Sequence, residues 1–509
     1  MAVVQLGAIN TTALIVPGLY VQIIPPQVTL LNGLPTNILG VVGTAQWGPV
    51  NAPTILSSMA DYSRQFGAIQ ARKYDLGTAI AAAVLQGANN FRAVRVTDGT
   101  DVAASILVLT NCITFTSKYS GSLANADTVT IAAGSQANTF KATVSRAGVV
   151  PEVFDNITGT ANALWVNIAN AINNGISGLR GPSQLIVASA GVGVTAPVLT
   201  AYTLTGGTDG ATTITGSVLL GVDTVPRKGM YALRNTNTSI AMLADCDDTT
   251  TFSTQVAYGY SEGTYMVGVT PAGDTIANAV ATKATAGIDA YIFKYLLGDW
   301  VYFLDTVNNV TRLISPQGYV AGRLANLSPE QSSLNKPLFG IVGTQKSFAN
   351  LTYSDAELQS LGLAGIDVIT NPIPAGNIFG VRFGHNSSSN AVTNGDNYTR
   401  MTNYLAYTLN AGMGLFIGQL QSKTVRRNAA ATISNFLEGL NNQGMIGNAQ
   451  GSTPYSVQID DSNNIPSRVA LGYMQADVKV TYLSVIEKFL VNLEGGQSVV
   501  INRQSVALA

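Results

Sequence analysis

The sequence contains a single histidine, His385, and this side chain is the natural candidate for general-base chemistry. It is followed by Ser387, Ser388 and Ser389, so a serine hydrolase is the first activity to consider. Such an enzyme needs a carboxylate that orients the histidine and a nucleophile exposed on a sharp turn between a strand and a helix. The serines lie in a polar stretch without that pattern. The sequence therefore favours a histidine in a loop.

The residues that could bind a metal ion are few and scattered. Cys112 and Cys246 are far apart and fit no metal-binding spacing, which indicates two buried thiols. Asp245, Asp247 and Asp248 could bind calcium, but this stretch lacks the glycine and the terminal glutamate of a calcium-binding loop. We therefore expect the acidic stretch to be a solvated turn, and we expect no metal ion.

A glycine-rich stretch, Gly191–Ala196, loosely matches a dinucleotide-binding fingerprint and follows a predicted strand. In such a site the phosphate lies at the N-terminus of a helix. Here Pro197 and the three residues after it favour more strand instead, and no Gly-Lys-Ser/Thr phosphate loop occurs. The sequence therefore predicts no cofactor and gives no support to an enzymatic function.

The composition is unusual because charged residues make up 11% of the 509 residues, against about 25% in typical soluble domains. A surface poor in charge suits a protein that is covered by copies of itself, although a stable β-rich or secreted domain would have a similar composition. The net charge is −1 and the first 63 residues contain no Lys or Arg, so we expect no nucleic-acid contact.

Neither a signal peptide nor a membrane-spanning segment is expected. The apolar start of the chain lacks the basic region of a signal peptide. The least charged stretch, Leu185–Thr205, is interrupted by glycines and a proline and is rich in Thr and Ser. This pattern predicts strands and turns, so we expect no membrane insertion.

The chain is too long for one hydrophobic core, and changes in composition divide it. Residues 31–98 are predicted to begin an α/β core. They contain a buried strand at Leu39–Thr44, a helix that Asp75 caps and that runs to about Gln86, and a strand at Phe91–Val96. This order is typical of the start of a βαβ unit.

The composition changes again further along the chain. Residues 99–215 are rich in Thr, Ala, Gly and Val and are predicted to form an inserted β-rich domain. Residues 216–389 return to the α/β core. Residues 390–496 are predicted to form an α+β domain that contains two amphipathic helices, at Asn397–Gly412 and Ser422–Gly439, followed by strands.

Extended arms are predicted at both ends, over residues 1–30 and 497–509. Both are apolar, nearly uncharged and β-prone, and Arg503 is the one charge in the second arm. The free N–H and C=O groups of such segments can add a strand to a neighbouring chain. The residues predicted to do so are Val3, Val4, Leu6, Val499, Val500, Ile501, Val506 and Leu508. The pattern alone equally allows each arm to pair within its own subunit.

Short motifs follow one another along most of the chain. The early ones are Pro17–Val21, Gly40–Ala45, Trp47–Asn51, Phe66-Gly67, Asn90–Val96, Lys118–Gly121 with Asn125, and Leu204–Gly210. The later ones are Ser315–Gly322, Asn335–Pro337, Leu363–Asp367 and Ile378–Arg382. In the order and spacing of these motifs the sequence resembles the contractile tail sheath proteins of tailed phages, a family that includes the sheaths of phage-tail-like bacteriocins. Phe383-Gly384-His385 departs from the Thr and Leu that are usual there.

The resemblance implies a subtilisin-like α/β core without catalytic residues, an inserted outer domain and a C-terminal domain that faces an inner tube. It also implies a non-enzymatic subunit, without cofactors, that polymerises with itself into a helical tube. Its expected partners are the inner tail tube protein and the baseplate and tail terminator proteins. Contraction on baseplate triggering would drive the tube through the host envelope. Such a protein would be found in the virion tail and would assemble in the bacterial host cytoplasm.

A basic cluster at the start of the second C-terminal helix consists of Lys423, Arg426 and Arg427. We predict that these residues meet acidic residues of the tube, although a solvated helix face would have the same pattern. Two other classes of protein remain open. One is another self-assembling structural protein, such as a baseplate or surface-layer subunit, and the other is a subtilisin-like hydrolase.

Overall fold

The computed structural model describes the backbone of residues 4–6 and 21–23, and it describes residues 31–493 and 495 in full. Strand β1 (Val4–Leu6) runs parallel to strand β2 (Val21–Ile23) of the same chain. The other residues predicted to act in the arms lie outside the described residues; they are Val3, Val499, Val500, Ile501, Val506 and Leu508.

The first part of the main sheet lies within residues 39–95. Its elements are β3 (Leu39–Gly43), β4 (Thr54–Leu56), α1 (Met59–Phe66), α2 (Leu76–Val84) and β5 (Phe91–Arg95). Asp75 is the N-cap of α2, because its carboxylate accepts a hydrogen bond from the backbone N–H of Thr78. The predicted strand–helix–strand order is therefore present, and each element ends within two residues of its predicted limit.

Residues 105–203 form two antiparallel sheets and a helix. The elements are β6 (Ser105–Val108), β7 (Ile113–Ser117), β8 (Thr128–Ala133), β9 (Phe140–Ser145), β10 (Glu152–Ile157), α3 (Ala161–Asn174), β11 (Ile186–Ala190) and β12 (Ala201–Thr203). One sheet has the strand order β10-β9-β8-β12 and the other has β11-β7-β6. Helix α3 buries Trp165 and Ile168 in the core that both sheets share. The chain enters and leaves this region side by side, since Val102 pairs with Thr208.

The chain then returns to the main sheet. The elements are α4 (Gly216–Leu220), β13 (Ile240–Leu243), α5 (Phe252–Glu262), β14 (Tyr265–Val269), α6 (Ile276–Thr285), β15 (Phe293–Leu296), β16 (Val301–Asp305), β17 (Val310–Ile314), α7 (Gln317–Asn326), β18 (Ile341–Thr344), α8 (Gln345–Phe348), α9 (Asp355–Ala364), β19 (Ile369–Thr370) and β20 (Gly380–Val381). Strands β17, β16 and β18 form a small antiparallel sheet, and β19 pairs with β20.

The main sheet has the strand order β15-β14-β13-β3-β5-β4, and all neighbours are parallel except β4 and β5. Helices cover both faces, so its strands are apolar on both sides. In β3, Leu39 and Val41 join the core on one face, and Val42 joins the core on the other. The fold is thus a mixed α/β and α+β arrangement with several sheets.

Helices α2 and α7 pack against each other with small residues at the contact. A Cβ atom added at Gly322 of α7 would lie 2.4 Å from the Cα atom of Ala83 in α2. One added at Gly318 would lie 2.8 Å from the carbonyl oxygen of Ala79. The glycines of the motif Ser315–Gly322 therefore set how closely these two helices approach.

The C-terminal part has its own core. Its elements are α10 (Asp396–Met413), α11 (Lys423–Asn442), β21 (Tyr455–Gln458), α12 (Pro466–Ala470) and β22 (Asp477–Val480). Strands β21 and β22 form an antiparallel pair, against which α10 and α11 bury residues such as Leu405 and Ile433. Residues 481–493 then run on without helix or strand, and we call this segment the strap. Among the helices that the structure describes, none combines the length and hydropathy needed to cross a membrane.

Substituting Gly322→Ala is expected to lower the free energy of unfolding by roughly 1–3 kcal/mol, because the added methyl group overpacks the contact with Ala83. The matched control is Gly439→Ala in α11, where nothing lies within 4 Å of an added Cβ atom. There the alanine should raise the free energy of unfolding by about 0.5–1 kcal/mol. Urea unfolding of both variants measures the difference, and equal effects would contradict the proposed close contact.

Candidate assembly interface

The junction between the main sheet and the C-terminal helices is built around a buried lysine. Lys294 lies on the edge strand β15, and its side chain is completely inaccessible to solvent. Its Nζ atom lies 2.8 Å from Oδ2 of Asp367 and 3.0 Å from Oδ1 of Asp396. These three residues, which we call the buried cluster, join β15, the segment before β19 and the first residue of α10.

Each carboxylate of the buried cluster has further hydrogen-bond donors. Asp367 accepts bonds from the backbone N–H groups of four residues, Val368, Phe383, Gly384 and His385, at 2.9–3.2 Å. Asp396 accepts bonds from the hydroxyl of Tyr265, at 2.5 Å, and from the hydroxyl of Ser333. Since buried polar and charged groups are costly without such partners, these donors replace the water that both carboxyl groups lose on burial.

The mutual attraction of these charges outweighs their burial. Burial alone lowers the pKa of Lys294, but Asp367 and Asp396 attract its charge and hold the pKa above the ordinary lysine value. Burial likewise raises the pKa of Asp396, but Lys294 and the hydroxyl donors outweigh this and hold the pKa below its usual range. The lysine and Asp396 are therefore both charged at neutral pH.

Arg400 is a further buried charge, one turn along α10 from Asp396. Its guanidinium donates to the carbonyl oxygens of Leu327 and Ser328, just after α7, at 2.8 and 2.9 Å. Burial lowers the pKa of Arg400 to about 10, which still leaves it protonated at neutral pH. The N-terminal turn of α10 is thus fastened to the main sheet on one side and to α7 on the other.

The residues of the predicted basic cluster lie together at the start of α11, but Asp461 of the same chain pairs with two of them, Lys423 and Arg426. The Nη1 atom of Arg426 lies 2.7 Å from Oδ1 of Asp461, and Nζ of Lys423 lies 3.6 Å from the other carboxylate oxygen. Arg427 is exposed, and within residues 31–493 it forms no salt bridge. The positive charge offered to a partner is therefore smaller than the sequence suggests.

The strap exposes a run of large apolar side chains. Ile486, Phe489, Leu490 and Leu493 are 76%, 84%, 83% and 88% exposed. Contiguous apolar surface of this kind marks an interaction site in a soluble protein. The arm predicted at residues 497–509 lies outside the described residues, and the structure shows that exposed apolar side chains already occur from Leu483 onwards.

A second exposed apolar surface lies at the far end of α10. The turn between α10 and α11 exposes Leu415, Ile417 and Leu420. Ile417 and Leu420 border an apolar groove of about 650 Å³ that extends to Val478 of β22. The C-terminal part therefore carries two surfaces with the apolar character of protein contacts.

Within the described residues, His385 contacts a carboxylate of the strap. Its Nε2 atom lies 2.8 Å from Oε1 of Glu487 in the strap. The neighbouring Ser387 is buried and donates its hydroxyl to the carbonyl oxygen of Ala290. The histidine therefore lies in a loop, and it is paired with a carboxylate rather than with a nucleophile.

The acidic stretch after β13 differs from the expected solvated turn, because Asp245 is buried. Its carboxylate accepts hydrogen bonds from the backbone N–H groups of Tyr74 and Ser315, which replace water. Asp247 instead contacts Lys73 at 2.7 Å. Within the described residues, no three His, Cys, Asp or Glu side chains are placed to share a metal ion. These aspartates therefore hold chain segments together at the carboxyl ends of the parallel strands.

No protein-family model matches the sequence, and no curated protein matches it. The fold, in contrast, is similar to solved contractile sheath proteins. A sheath tail protein from Desulfitobacterium hafniense is 16% identical, with a TM-score of 0.58 over 87% of this chain and 94% of that one. A sheath tail protein from Listeria innocua is 14% identical, with a TM-score of 0.61 over 89% and 96%.

The similarity extends to a sheath solved as part of an assembly. The sheath of PVC, an extracellular contractile injection system, in its contracted state is 12% identical, with a TM-score of 0.55 over 96% of this chain and 99% of that one. The chain therefore has the fold of contractile sheath proteins over most of its length.

Substituting Lys294→Met is expected to lower the free energy of unfolding by about 3–5 kcal/mol at neutral pH, because Asp367 and Asp396 are left buried without their cation. The loss should shrink as the pH becomes acidic, because Lys294 is one of the groups that hold the pKa of Asp396 low against the effect of burial, and without it this carboxyl group is protonated more readily. Chemical unfolding at several pH values measures both effects.

Lys423→Met is the matched control, because Lys423 is 82% exposed and its pair with Asp461 should contribute less than about 1 kcal/mol. If Lys294→Met were no more destabilising than this control, the buried cluster would not hold the junction together.

Proposed function

We propose that this chain is the structural subunit of a contractile tail sheath. It polymerises into a helical tube around an inner tail tube and contracts when a baseplate triggers it, which drives the tube through the host envelope. The observation that carries the proposal is the shared fold over 96% of this chain and 99% of a sheath solved in the contracted state. Assembly with itself, with the tube and with baseplate and terminator proteins places it in a virion tail that is built in the bacterial host cytoplasm.

The main sheet and its helices act as a subtilisin-like core that serves as a scaffold, without catalysis. At the carboxyl ends of the strands, the carboxylate of Asp245 accepts hydrogen bonds from backbone N–H groups. The hydroxyl of Ser315 donates to Oε1 of Gln317 at 3.0 Å. In the proposed division, residues 31–98 and 216–389 form this core. Residues 99–215 form an outer domain, and residues 390–496 form the domain that faces the tube.

Assembly uses the apolar ends of the chain. The low content of charge, 11% of all residues, supports a surface that neighbouring copies cover. The arms at residues 1–30 and 497–509 add strands to neighbouring subunits. The exposed apolar residues of the strap lie between β22 and the second arm, so they lengthen the apolar segment that a neighbour can cover. Covering them removes unpaired backbone groups and apolar surface from water in one step.

Contraction then needs no nucleotide, because rigid subunits can rotate into a lattice that buries more surface. If each subunit buried a further ~400 Å² of apolar surface, the gain would be at most ~10 kcal/mol at ~25 cal/mol/Å². Summed over many subunits, this free energy would supply the mechanical work.

Negative-stain electron microscopy of the purified protein tests the proposal. Hollow helical tubes of uniform width, formed alone or after addition of the tube protein, are expected. Flat sheets would favour a surface-layer subunit and closed rings a baseplate component, and either result would contradict the proposal. Dispersed monomers in the presence of the tube protein would contradict it as well.

Deleting residues 497–509 is expected to leave a folded subunit that forms no tubes, because the donated strand is lost. Circular dichroism checks the fold and electron microscopy checks assembly. The control keeps the length of the arm but replaces it with a Gly/Ser sequence, which should fail in the same way. Tubes formed by the truncated chain would show that strand addition through this arm is not needed.

Reversing the charges of Arg426 and Arg427 to Glu is expected to block assembly on the inner tube, because acidic residues of the tube would then be repelled. The control reverses Lys118 and Lys141, which changes the net charge equally within the proposed outer domain. Co-assembly with the tube protein followed by microscopy measures both variants. Normal sheathed tubes from the Arg426/Arg427 variant would rule out this contact.

A further inference from the structure

The strap (residues 481–493) is attached to its own subunit at its start. Thr481 forms two backbone hydrogen bonds, one as donor and one as acceptor. The ring of Tyr482 packs edge-on against Tyr398 of α10, with ring centroids 6.0 Å apart, and its hydroxyl lies 3.3 Å from that of Thr402. The strap therefore runs back along α10 towards the main sheet.

Beyond Tyr482, a single hydrogen bond holds the part of the strap that the structure describes. It joins Oε1 of Glu487 to Nε2 of His385 at 2.8 Å. On either side of this contact the apolar side chains of Ile486, Phe489 and Leu490 remain exposed. Beyond Tyr482, the position of the strap on its own subunit is therefore fixed by a single polar contact.

His385 forms the rigid half of that contact. Its backbone N–H donates to Asp367 at 3.2 Å, and its carbonyl oxygen accepts from Lys294 at 2.9 Å. Its ring lies beside that of Phe383, with centroids 6.1 Å apart. The buried cluster thus fixes the histidine, whereas Glu487 lies on a segment that has no further hydrogen bonds nearby.

We propose that the contact between Glu487 and His385 is a latch that holds the strap on its own subunit and slows its transfer to a second copy of the chain. This inference rests on the proposed function. A neighbouring subunit would cover the apolar, β-prone residues around Glu487. If the strap left its own subunit before the subunit reached the baseplate, subunits would polymerise away from it, and the latch opposes this. A single, partly exposed contact is weak enough to be exchanged when a neighbour arrives.

The test follows the lag before tubes form, by light scattering, in the full-length protein. Glu487→Gln and His385→Glu are both expected to shorten the lag about two- to fivefold, the range that corresponds to the loss of one weak surface contact. His385→Lys places a cation opposite Glu487, which still attracts the strap, and should not shorten the lag. The double variant His385→Glu with Glu487→Lys again places opposite charges across the contact and should restore the lag. Lys488→Gln, one residue away, is the control for a change of charge alone.

A second measurement follows trypsin cleavage after Lys488 in the soluble subunit, which does not depend on polymerisation. His385→Glu should be cleaved about two- to fivefold faster than His385→Lys. If the unsubstituted protein forms no tubes even with the tube protein, the proposed function fails. In that case, equal cleavage rates of His385→Glu and His385→Lys would overturn the latch as well. If tubes form but the lag is unchanged in Glu487→Gln and His385→Glu, or if these variants form no tubes, the latch is overturned while the proposed function stands.

Discussion

The buried lysine at the edge of the main sheet is the constraint on which the arrangement of the chain depends. Lys294 neutralises Asp367 from the loop before β19 and Asp396 from the first turn of α10, all without contact with water. A charge in such a place is tolerated only with its partners in position, so the cluster permits one placement of α10 on the sheet. That placement also sets the direction of α11, of the β21–β22 pair and of the strap that follows them.

The proposed function needs a rigid subunit with loosely held ends, because the proposed lattice changes its geometry. The parallel sheet and the α2–α7 contact are apolar and closely packed, and the buried cluster extends this rigidity to the C-terminal helices. The strap has the opposite character, because beyond Tyr482 its described residues form one hydrogen bond, to His385. In the proposed assembly, whole subunits would rotate while their ends keep neighbours connected.

The sequence predicted the α/β alternation and the two C-terminal helices, because these depend on local periodicity. The motif Ser315–Gly322 was noted for its resemblance to sheath proteins, and its close contact with α2 became visible only in the structure. It missed the role of Lys294, since the sequence analysis assigned residues 216–389 to the α/β core without a partner for this charge. The signal was present, because a lone lysine within an apolar run implies a buried partner. It also treated Asp245 as solvated and the basic residues of α11 as unshared. Both depend on partners distant in sequence, Ser315 in one case and Asp461 in the other.

Cryo-electron microscopy of tubes assembled from the full-length protein tests the central claim most directly, because it shows where each chain end lies. The account predicts a helical lattice of rigid subunits in which the residues after Tyr482 leave their own subunit and pair with a neighbour. It also predicts that the geometry of Lys294 between Asp367 and Asp396 is unchanged in every subunit. Tubes in which residues 483–509 stay folded on their own subunit, or an assembly without helical symmetry, would contradict it.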